Sequence, residues 1–239
     1  MNSHEWHIPF LPPVKLPVFL SLHALMIVIW SVLLLIVFLI LYRKNQRVPT
    51  GITNALEAFV QFIRDDIAVP SLGQKDGVHY TPLLCTFFFF ILGLNLIGMI
   101  PLFATATANI NVTFALSFIV LLFLTVGTML RNGIGGFFHA LTPAGVPILI
   151  LPIIVALELL GVFIKATALT VRLFANMLAG HMVILTLLGL IVMYGLIALP
   201  ALALAVAISA LEVFVAFLQA YIFTLLSAAF IGQMYHPDH

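Results

Sequence analysis

The sequence predicts an all-α integral membrane protein with five transmembrane helices and one interfacial amphipathic helix, in which the last two membrane helices are long and strongly tilted. Its composition is the first reason, because 64% of the 239 residues are hydrophobic and only 7% are charged, as is typical of chains surrounded by lipid. The second reason is that the apolar residues form five runs. Each run is close to or longer than the ~20 residues that an upright helix needs to cross the hydrocarbon core.

The overall charge excludes one large class of partner. Nine Lys and Arg against eight Asp and Glu leave a net charge of +1, which provides no basic surface for nucleic acid. Cys85 is the single cysteine, so no intrachain disulfide forms, and we interpret it as a small buried hydrophobic residue. No nucleic acid partner is therefore expected.

The N-terminal segment predicts an outer strap followed by one membrane span. Residues 1–19 are rich in proline and aromatic side chains, which disfavours a helix and predicts an extramembrane strap. The first span covers residues 20–42, and its length indicates a membrane helix rather than a signal peptide. It ends at a basic cluster of Arg43, Lys44 and Arg47. Because basic residues collect on the cytoplasmic side, this end is expected inside and the N-terminus outside.

Residues 52–68 predict the interfacial helix. Asn54 followed by Glu57 is typical of a helix start. Apolar side chains then recur at helical spacing, and charged or amide side chains cover the other face. The apolar positions are Leu56, Phe59, Val60, Ile63 and Ile67, and the polar ones are Glu57, Gln61, Arg64 and Asp65. Such a helix is expected to lie along the cytoplasmic membrane surface as a packing element without chemistry of its own.

Residues 82–130 predict a helical hairpin. A polar loop, Gly73 to Gly77, leads to a second span over about 82–102, and an outer turn near Asn109 leads to a third span over about 112–130. Asn95 is placed to bond to a neighbouring helix. The glycine-rich segment from Arg131 to Pro147 is predicted to be a loop, and it lacks the Gly-Lys-Ser/Thr of a phosphate-binding loop, so no nucleotide site is expected.

Residues 146–234 predict two long helices, over about 146–191 and 197–234. Each exceeds the length of an upright span, so both are expected to tilt or to run partly along the membrane. Five crossings put the polar tail that ends in His236, Asp238 and His239 on the cytoplasmic side. Residues 1–239 are thus predicted to form a single membrane domain.

Polar residues form a stripe on the first of these long helices. Glu158, Lys165 and Arg172 are seven residues apart, and Asn176 follows four later, which places all four within about 60° of one another around the helix. Glu158 then lies ~21 Å toward the cytoplasm from Arg172. His181 lies ~13 Å toward the outer side of Arg172 and on the opposite face.

The second long helix carries two polar residues at matching depths. Glu212 and Gln219 are seven residues apart and share a face. Since this helix runs back inward, Gln219 is predicted to lie at the depth of Arg172, and Glu212 at the depth of His181.

The chemistry of these residues predicts two polar access paths around a fixed cation. His181 and Glu212 can each bind and release a proton on the outer side, and Glu158 can do so on the inner side. Arg172 keeps its proton. Polar residues of this kind can also simply join helices, and a Glu212–His181 contact alone is compatible with that role.

Arg172 favours the functional interpretation over simple helix association. A charge at the bilayer centre costs ~2.5 to 3.5 kcal/mol, and no acidic residue of this chain is predicted at its depth. Its counter-charge is therefore expected to come from another protein. Alanines on the surrounding turns allow a partner helix to approach closely, namely Ala166, Ala168, Ala175 and Ala179.

Two segments, TALTVRLFANMLAGH and LEVFVAFLQAYIFTLL, resemble subunit a of the F-type ATP synthases, and the earlier spans match that family in order and character. The resemblance implies a stator subunit that conducts protons and is not catalytic as an isolated chain. Its implied partners are a rotor ring of proteolipid c subunits, peripheral-stalk b subunits, the remaining complex and the lipid bilayer. No cofactor or metal is implied, and a bacterial plasma membrane is favoured over a mitochondrial one.

The resemblance also implies roles for the polar residues, one by one. Arg172 matches the arginine that faces the rotor ring, and Gln219 its neighbour. His181 and Glu212 match the outer half-channel, Asn176 matches the polar residue four after the arginine, and Glu158 matches an acidic position near the inner half-channel. Many bacterial members carry an acid where this chain has His181 and a histidine where it has Glu212. The exchange retains one acid and one imidazole, so proton transfer is expected to survive it.

The sequence fits two other classes of membrane protein less well. A secondary transporter is expected to bind its solute within one chain and to show internal repeats, and no repeat is visible here. A membrane anchor or respiratory subunit is expected to carry paired histidines for haem or a quinone pocket, whereas the histidines of this chain are scattered.

Overall fold

The computed structural model describes residues 5–6, 14–15, 21–41, 51–100, 105–142, 149–195 and 199–235. Apart from turns and one short antiparallel strand pair, β1 (Glu5–Trp6) with β2 (Val14–Lys15), these residues are helical. Most of the predicted strap (1–19), residues 20 and 42, parts of the two long segments (146–148 and 197–198) and the tail from His236 to His239 lie outside the described residues.

The helices follow one another along the chain with short connections. The helix α2 (Ile52–Phe62) continues through a π-helical stretch (Ile63–Ala68) into α3 (Val69–Leu72), and α5 (Ile110–Leu122) continues through another (Phe123–Gly127) into α6 (Thr128–Ala140). A 3₁₀ turn, Ala106–Ala108, precedes α5. The helices are α1 (Leu22–Leu41), α2 (Ile52–Phe62), α3 (Val69–Leu72), α4 (Gln74–Gly98), α5 (Ile110–Leu122), α6 (Thr128–Ala140), α7 (Leu151–Tyr194) and α8 (Leu199–Tyr235).

Five helical stretches of the described chain are long and apolar enough to cross a membrane, which confirms the predicted number of spans. They cover Leu22–Ile40, Gln74–Gly98, Ile110–Ala140, Leu151–Tyr194 and Pro200–Tyr235. Their exposed surfaces are rich in leucine, isoleucine, valine and phenylalanine, as lipid-facing or partner-facing surfaces require. The tilt of α7 and α8 stays a prediction.

Three predicted boundaries were wrong. The helix α4 begins at Gln74, so most of the predicted polar loop is helical; Gly73, at φ 80°, makes the whole connection from α3. The segment after Arg131 is helical as far as Ala140 except at Gly133, whose non-helical backbone (φ 74°, ψ 171°) makes a kink between two helical pieces. The helix α2 begins at Ile52 after Gly51, so Asn54 lies inside the helix and does not cap it.

The described chain divides into two compact units. The first contains Met1–Tyr42, Phe89–Val112 and Arg172–Tyr221, and the second contains Arg43–Phe88, Thr113–Val171 and Ile222–His239. In the first unit, Ser21 begins α1 by accepting a hydrogen bond from the Ala24 amide through its hydroxyl (3.3 Å), as N-cap serines do. The buried core of this unit includes Met26, Leu94 and Ala106.

In the second unit, residues 52–68 have one apolar and one polar face, as predicted. Ile63 and Ile67 are fully buried, whereas Glu57 and Asp65 are exposed. On the polar side, the Arg64 guanidinium donates to the Asp65 carboxylate (2.8 Å), and this hydrogen bond lowers the pKa of Asp65. The location of this helix at the membrane surface stays a prediction.

A polar cluster in the second unit joins α4, α6 and the end of α8. Arg131 forms an ion pair with Asp76, and its guanidinium lies 4.9 Å from the ring centre of Tyr235. The hydroxyls of Tyr235 and Tyr80 are 2.9 Å apart. A Cβ at Gly127 would lie 2.6 Å from the Tyr235 hydroxyl, so the tyrosine fits here only because residue 127 has no side chain.

Helix α8 approaches the backbone of α3 at Gly232, and this contact predicts a stability effect. A Cβ at Gly232 would lie 2.0 Å from the Ser71 carbonyl oxygen, which cannot move without shifting the backbone. Gly232→Ala is therefore expected to lower the free energy of unfolding by about 1 to 3 kcal/mol, the usual cost of overpacking. Thermal unfolding of the purified chain in detergent measures this.

Gly189→Ala is the matched control for that substitution. Gly189 lies inside α7, and nothing would be within 4 Å of its Cβ. Alanine favours the helix over glycine, so stability is expected to stay the same or rise. Equal stability of the Gly232→Ala and Gly189→Ala variants would contradict the close approach of α8 and α3.

Candidate functional site

Two polar pairs join α7 to α8 in the first unit. The Nδ1 atom of His181 lies 3.3 Å from Oε1 of Glu212, so the predicted proximity of these two residues is confirmed. One and a half turns earlier on α7, the Asn176 amide donates to Oε1 of Gln219 (2.6 Å). Gln219 was predicted at the depth of Arg172, and its hydrogen-bond partner is Asn176, four residues further along the same stripe.

Both acceptors on α8 are removed from the surface. Glu212 is 4% exposed and Gln219 is 1% exposed. A glycine makes the acid–imidazole contact sterically possible, since a Cβ at Gly180 would lie 2.7 Å from Oε1 of Glu212. The other carboxyl oxygen, Oε2, is buried without a hydrogen-bond partner among the described residues.

The second ring nitrogen of His181 also has a partner. Its Nε2 atom lies 3.0 Å from Oγ1 of Thr105, and the Thr105 hydroxyl donates to the carbonyl of Gly98 (2.9 Å). Sequence reasoning missed Thr105. Threonines in apolar helical segments usually bond to a carbonyl of their own helix, as Thr170 does, so nothing in the pattern singled out this one.

Asn95 connects α4 to the same part of α8. Its amide donates to the carbonyl of Ala216 (3.4 Å), and its side chain is fully buried. The bond to a neighbouring helix that the sequence predicted for Asn95 is therefore confirmed. Ala216 lies midway between Glu212 and Gln219 in sequence, so this bond holds the segment of α8 that carries both.

Arg172 is half-buried on α7. Among the described residues it makes no hydrogen bond or ion pair, whereas Arg64 and Arg131 each pair with an aspartate. The expectation that the counter-charge of Arg172 comes from another protein stays a prediction. A cation left unpaired in an apolar helix attracts any carboxylate brought to it.

The second unit contains Glu158 and Lys165, which were predicted on the same stripe. Glu158 is exposed. Lys165 donates to the amide oxygen of Gln233 on α8 (3.0 Å), and its ammonium lies 5.2 Å from the ring centre of Phe230. Gln233 was not singled out by the sequence. The described residues contain no group of three or more His, Cys, Asp or Glu able to hold a metal.

The arrangement in the first unit can hold and transfer a proton. A carboxyl group and an imidazole can each bind and release a proton, and here the two are in hydrogen-bonding contact. The amides of Asn176 and Gln219 do not titrate but donate and accept hydrogen bonds. The first unit therefore contains a titratable pair, a polar amide pair and a cation that does not release its proton.

The amide pair predicts a modest contribution to stability. Asn176→Ala leaves Oε1 of the buried Gln219 without its donor, so the free energy of unfolding is expected to fall by about 0.6 to 1.7 kcal/mol, the range for hydrogen bonds between membrane helices. Unfolding of the purified chain measures this. Asn54→Ala, in an exposed position of α2, is the control, and an equal effect of both changes would argue against the bond.

The sequence has clear relatives. A family model described as ATP synthase A chain matches residues 24–232. ATP synthase subunit a of Anaeromyxobacter dehalogenans is 47% identical over 150 residues, which cover 62% of this chain and 39% of the relative. The subunit of Myxococcus xanthus is 43% identical over 172 residues, 71% of this chain and 56% of the relative. The subunit of Chloroherpeton thalassium is 45% identical over 182 residues, which cover 71% of this chain and 54% of the relative.

The chain spans between 39% and 56% of the length of these three curated relatives. The family model, by contrast, covers every span that the structure describes except the first two residues of α1 and the last turn of α8. A match over that much of the chain, together with the five apolar helices, shows that this chain belongs to the ATP synthase A chain family.

Proposed function

We propose that this chain is the membrane-sector subunit a of a rotary F-type ATP synthase and couples transmembrane proton flow to rotation. The observation that carries the proposal is Arg172, a half-buried cation without a partner among the described residues, on the same helix as the partly buried His181–Glu212 contact. Such a subunit requires two features: a cation that pairs with a carboxylate of another protein, and a pair of side chains nearby that can transfer a proton. Membership of the family supports the same conclusion.

The outer half of the proton path is formed by His181 and Glu212. Each can bind a proton that arrives from the outer side and pass it on, because the two side chains touch. From this pair the proton reaches a carboxylate on a rotor subunit. The protonated, neutral carboxyl group can then turn into lipid, where a charged one would be too costly.

Arg172 separates the outer path from the inner one. Its guanidinium attracts a deprotonated rotor carboxylate and lowers the pKa of that carboxylate, which promotes proton release. It keeps its own proton, so protons cannot pass directly between the paths. Such a leak would be costly, since a membrane potential of 100 mV supplies about 2.3 kcal/mol per charge moved. The Asn176–Gln219 pair fills the polar position beside the arginine.

The inner half of the path contains Glu158. This exposed carboxyl group lies two helical turns before Lys165, which is bonded to Gln233. Together these side chains provide a polar surface on otherwise apolar helices, along which a proton released by the rotor can reach the cytoplasm.

The proposal includes partners and location. The rotor ring of proteolipid c subunits, the peripheral-stalk b subunits and the remaining ATP synthase complex surround this chain in a bacterial plasma membrane. Residues 1–239 form one multi-pass membrane domain with the N-terminus outside and the C-terminus in the cytoplasm. Within it, α2 lies along the inner surface, and α7 and α8 tilt against the ring. In this proposal, ATP itself is made by other subunits of the complex.

Arg172→Ala tests the proposal most simply. Loss of the fixed cation is expected to abolish proton-driven ATP synthesis, while the complex still assembles with its rotor ring, because the charge serves transport and is not needed for insertion. Synthesis is measured in inverted membrane vesicles, and assembly by co-purification of the ring.

Arg64→Ala is the matched control for Arg172→Ala. Arg64 lies outside the membrane spans and bonds to Asp65 at the surface, so its loss should leave ATP synthesis unchanged. Wild-type synthesis rates in vesicles that carry only Arg172→Ala would refute the proposed role of Arg172.

The outer pair gives a second prediction. Glu212→Gln and His181→Ala each remove one proton-transferring group, and each is expected to slow passive proton flow through the membrane sector by at least about tenfold. Gln219→Leu should slow it less, because the amide does not titrate. Proton flow is followed by dye quenching in vesicles stripped of the soluble part. Unchanged proton flow in both variants would mean that the His181–Glu212 contact only holds the two helices together.

A further inference from the structure

The ring nitrogen of His181 that faces away from Glu212 is held by Thr105. Oγ1 of Thr105 lies 3.0 Å from Nε2 of His181, and the threonine side chain is buried. Thr105 belongs to the same compact unit as His181 and Glu212. The imidazole therefore has a defined partner on each of its two nitrogens.

The Thr105 hydroxyl already uses its single hydrogen. It donates to the carbonyl of Gly98 at 2.9 Å. Gly98 is the last residue of α4, and carbonyls in the last turn of a helix commonly accept hydrogen bonds from side chains. A hydroxyl has one hydrogen and two lone pairs. Toward His181, Oγ1 of Thr105 is consequently an acceptor, and Nε2 must be the donor.

We infer that Thr105 is a positioning residue that keeps a proton on Nε2 of His181 and so presents Nδ1 to Glu212 as the nitrogen that exchanges protons. This inference deepens the proposed function of the His181–Glu212 pair and rests on it. Thr105 itself carries no transferred proton.

The proton balance of the pair follows from this tautomer. When the exchanging proton is on Glu212, the carboxylic acid donates to the bare Nδ1 and both residues are neutral. When it moves, the O–H bond breaks, an N–H bond forms on Nδ1, and the imidazolium donates to the carboxylate. The pair has zero net charge in both forms, so neither form leaves an uncompensated charge in an apolar helix pair.

The alternative neutral tautomer is disfavoured by the same contacts. With its hydrogen on Nδ1, His181 would place the bare Nε2 against an oxygen whose hydrogen points elsewhere. Nδ1 could then no longer accept the proton of Glu212. Thr105 also packs directly against Gly98, since a Cβ at Gly98 would lie 2.7 Å from Cγ2 of Thr105. A larger residue at position 98 would therefore displace the threonine.

The test measures the tautomer of His181 in the assembled membrane sector with ¹⁵N-labelled histidine. Wild-type His181 is expected to be protonated on Nε2, and His181→Ala identifies its signals. Thr105→Val keeps the shape of the side chain but removes the hydroxyl. It is expected to raise the ratio of the Nδ1–H to the Nε2–H tautomer about twofold to tenfold, as loss of one ordinary hydrogen bond does.

Two further variants separate positioning from general damage. Thr105→Ser retains the hydroxyl and is expected to restore the wild-type tautomer. Thr186→Val removes a hydroxyl that bonds within α7 to the Met182 carbonyl, and it should leave the tautomer unchanged. An Nε2–H tautomer that persists in Thr105→Val, or a shift of equal size in Thr186→Val, would overturn the inference.

Proton flow distinguishes this inference from the function on which it rests. Thr105→Val is expected to slow flow, and Thr105→Ser to recover it. A shifted tautomer with undiminished flow, in vesicles where Glu212→Gln does slow flow, would overturn the claim that the tautomer serves transfer. Undiminished flow in Glu212→Gln would instead contradict the proposed function, and the tautomer ratio would still decide whether Thr105 positions the ring.

Discussion

The cost of a charge inside a membrane is the constraint on which the rest of this structure depends. Most ionised side chains of the described chain either lie outside the spans or have a partner: Arg64 bonds to Asp65, Arg131 to Asp76, and Lys165 to Gln233. Arg172 and Glu158, both on α7, have no such partner among the described residues, and Arg172 is the more buried of the two. A half-buried cation in the middle of a 44-residue apolar helix costs free energy unless a counter-charge compensates it, and in the proposed function a rotor carboxylate does so. The unpaired charge therefore points to a carboxylate on a partner protein. The neighbouring polar residues are then interpreted as the groups that bring protons to that carboxylate.

The antiparallel course of α7 and α8 turns short sequence spacings into pairs of side chains. Asn176 and His181 are five residues apart on α7, and their partners Gln219 and Glu212 are seven apart on α8. Small residues make these contacts possible. Gly180 admits the Glu212 carboxyl group, and Ala216 exposes a backbone carbonyl to Asn95. Close helix approach through small residues, with polar side chains bonding across, is the usual means of association in a bilayer. The same contacts that hold the helices together thus also place the titratable groups.

The number of spans, the two-sided helix near residue 60 and the pairing of His181 with Glu212 could be predicted, because long apolar runs and helical periodicity are local properties of the sequence. The connections could not. Glycines ended or bent helices at single residues, Gly73 and Gly133, where composition indicated loops. The partners of site residues were harder still. Thr105 and Gln233 reach His181 and Lys165 across 76 and 68 positions of sequence, and such contacts depend on how the helices pack. For Arg172, the expectation that its counter-charge comes from another protein depends only on depth and charge, and it stays a prediction.

The proposal that Arg172 is neutralised by another protein can be tested directly by an experimental map of this chain assembled with the proposed rotor ring. The account predicts that the nearest acidic group to the Arg172 guanidinium is a carboxylate of a rotor subunit, close enough for an ion pair or one water away, and that no Asp or Glu of this chain is within 4 Å, the usual limit for an ion pair. A guanidinium paired with an acidic residue of its own chain, or facing lipid with no rotor carboxylate near, would contradict it.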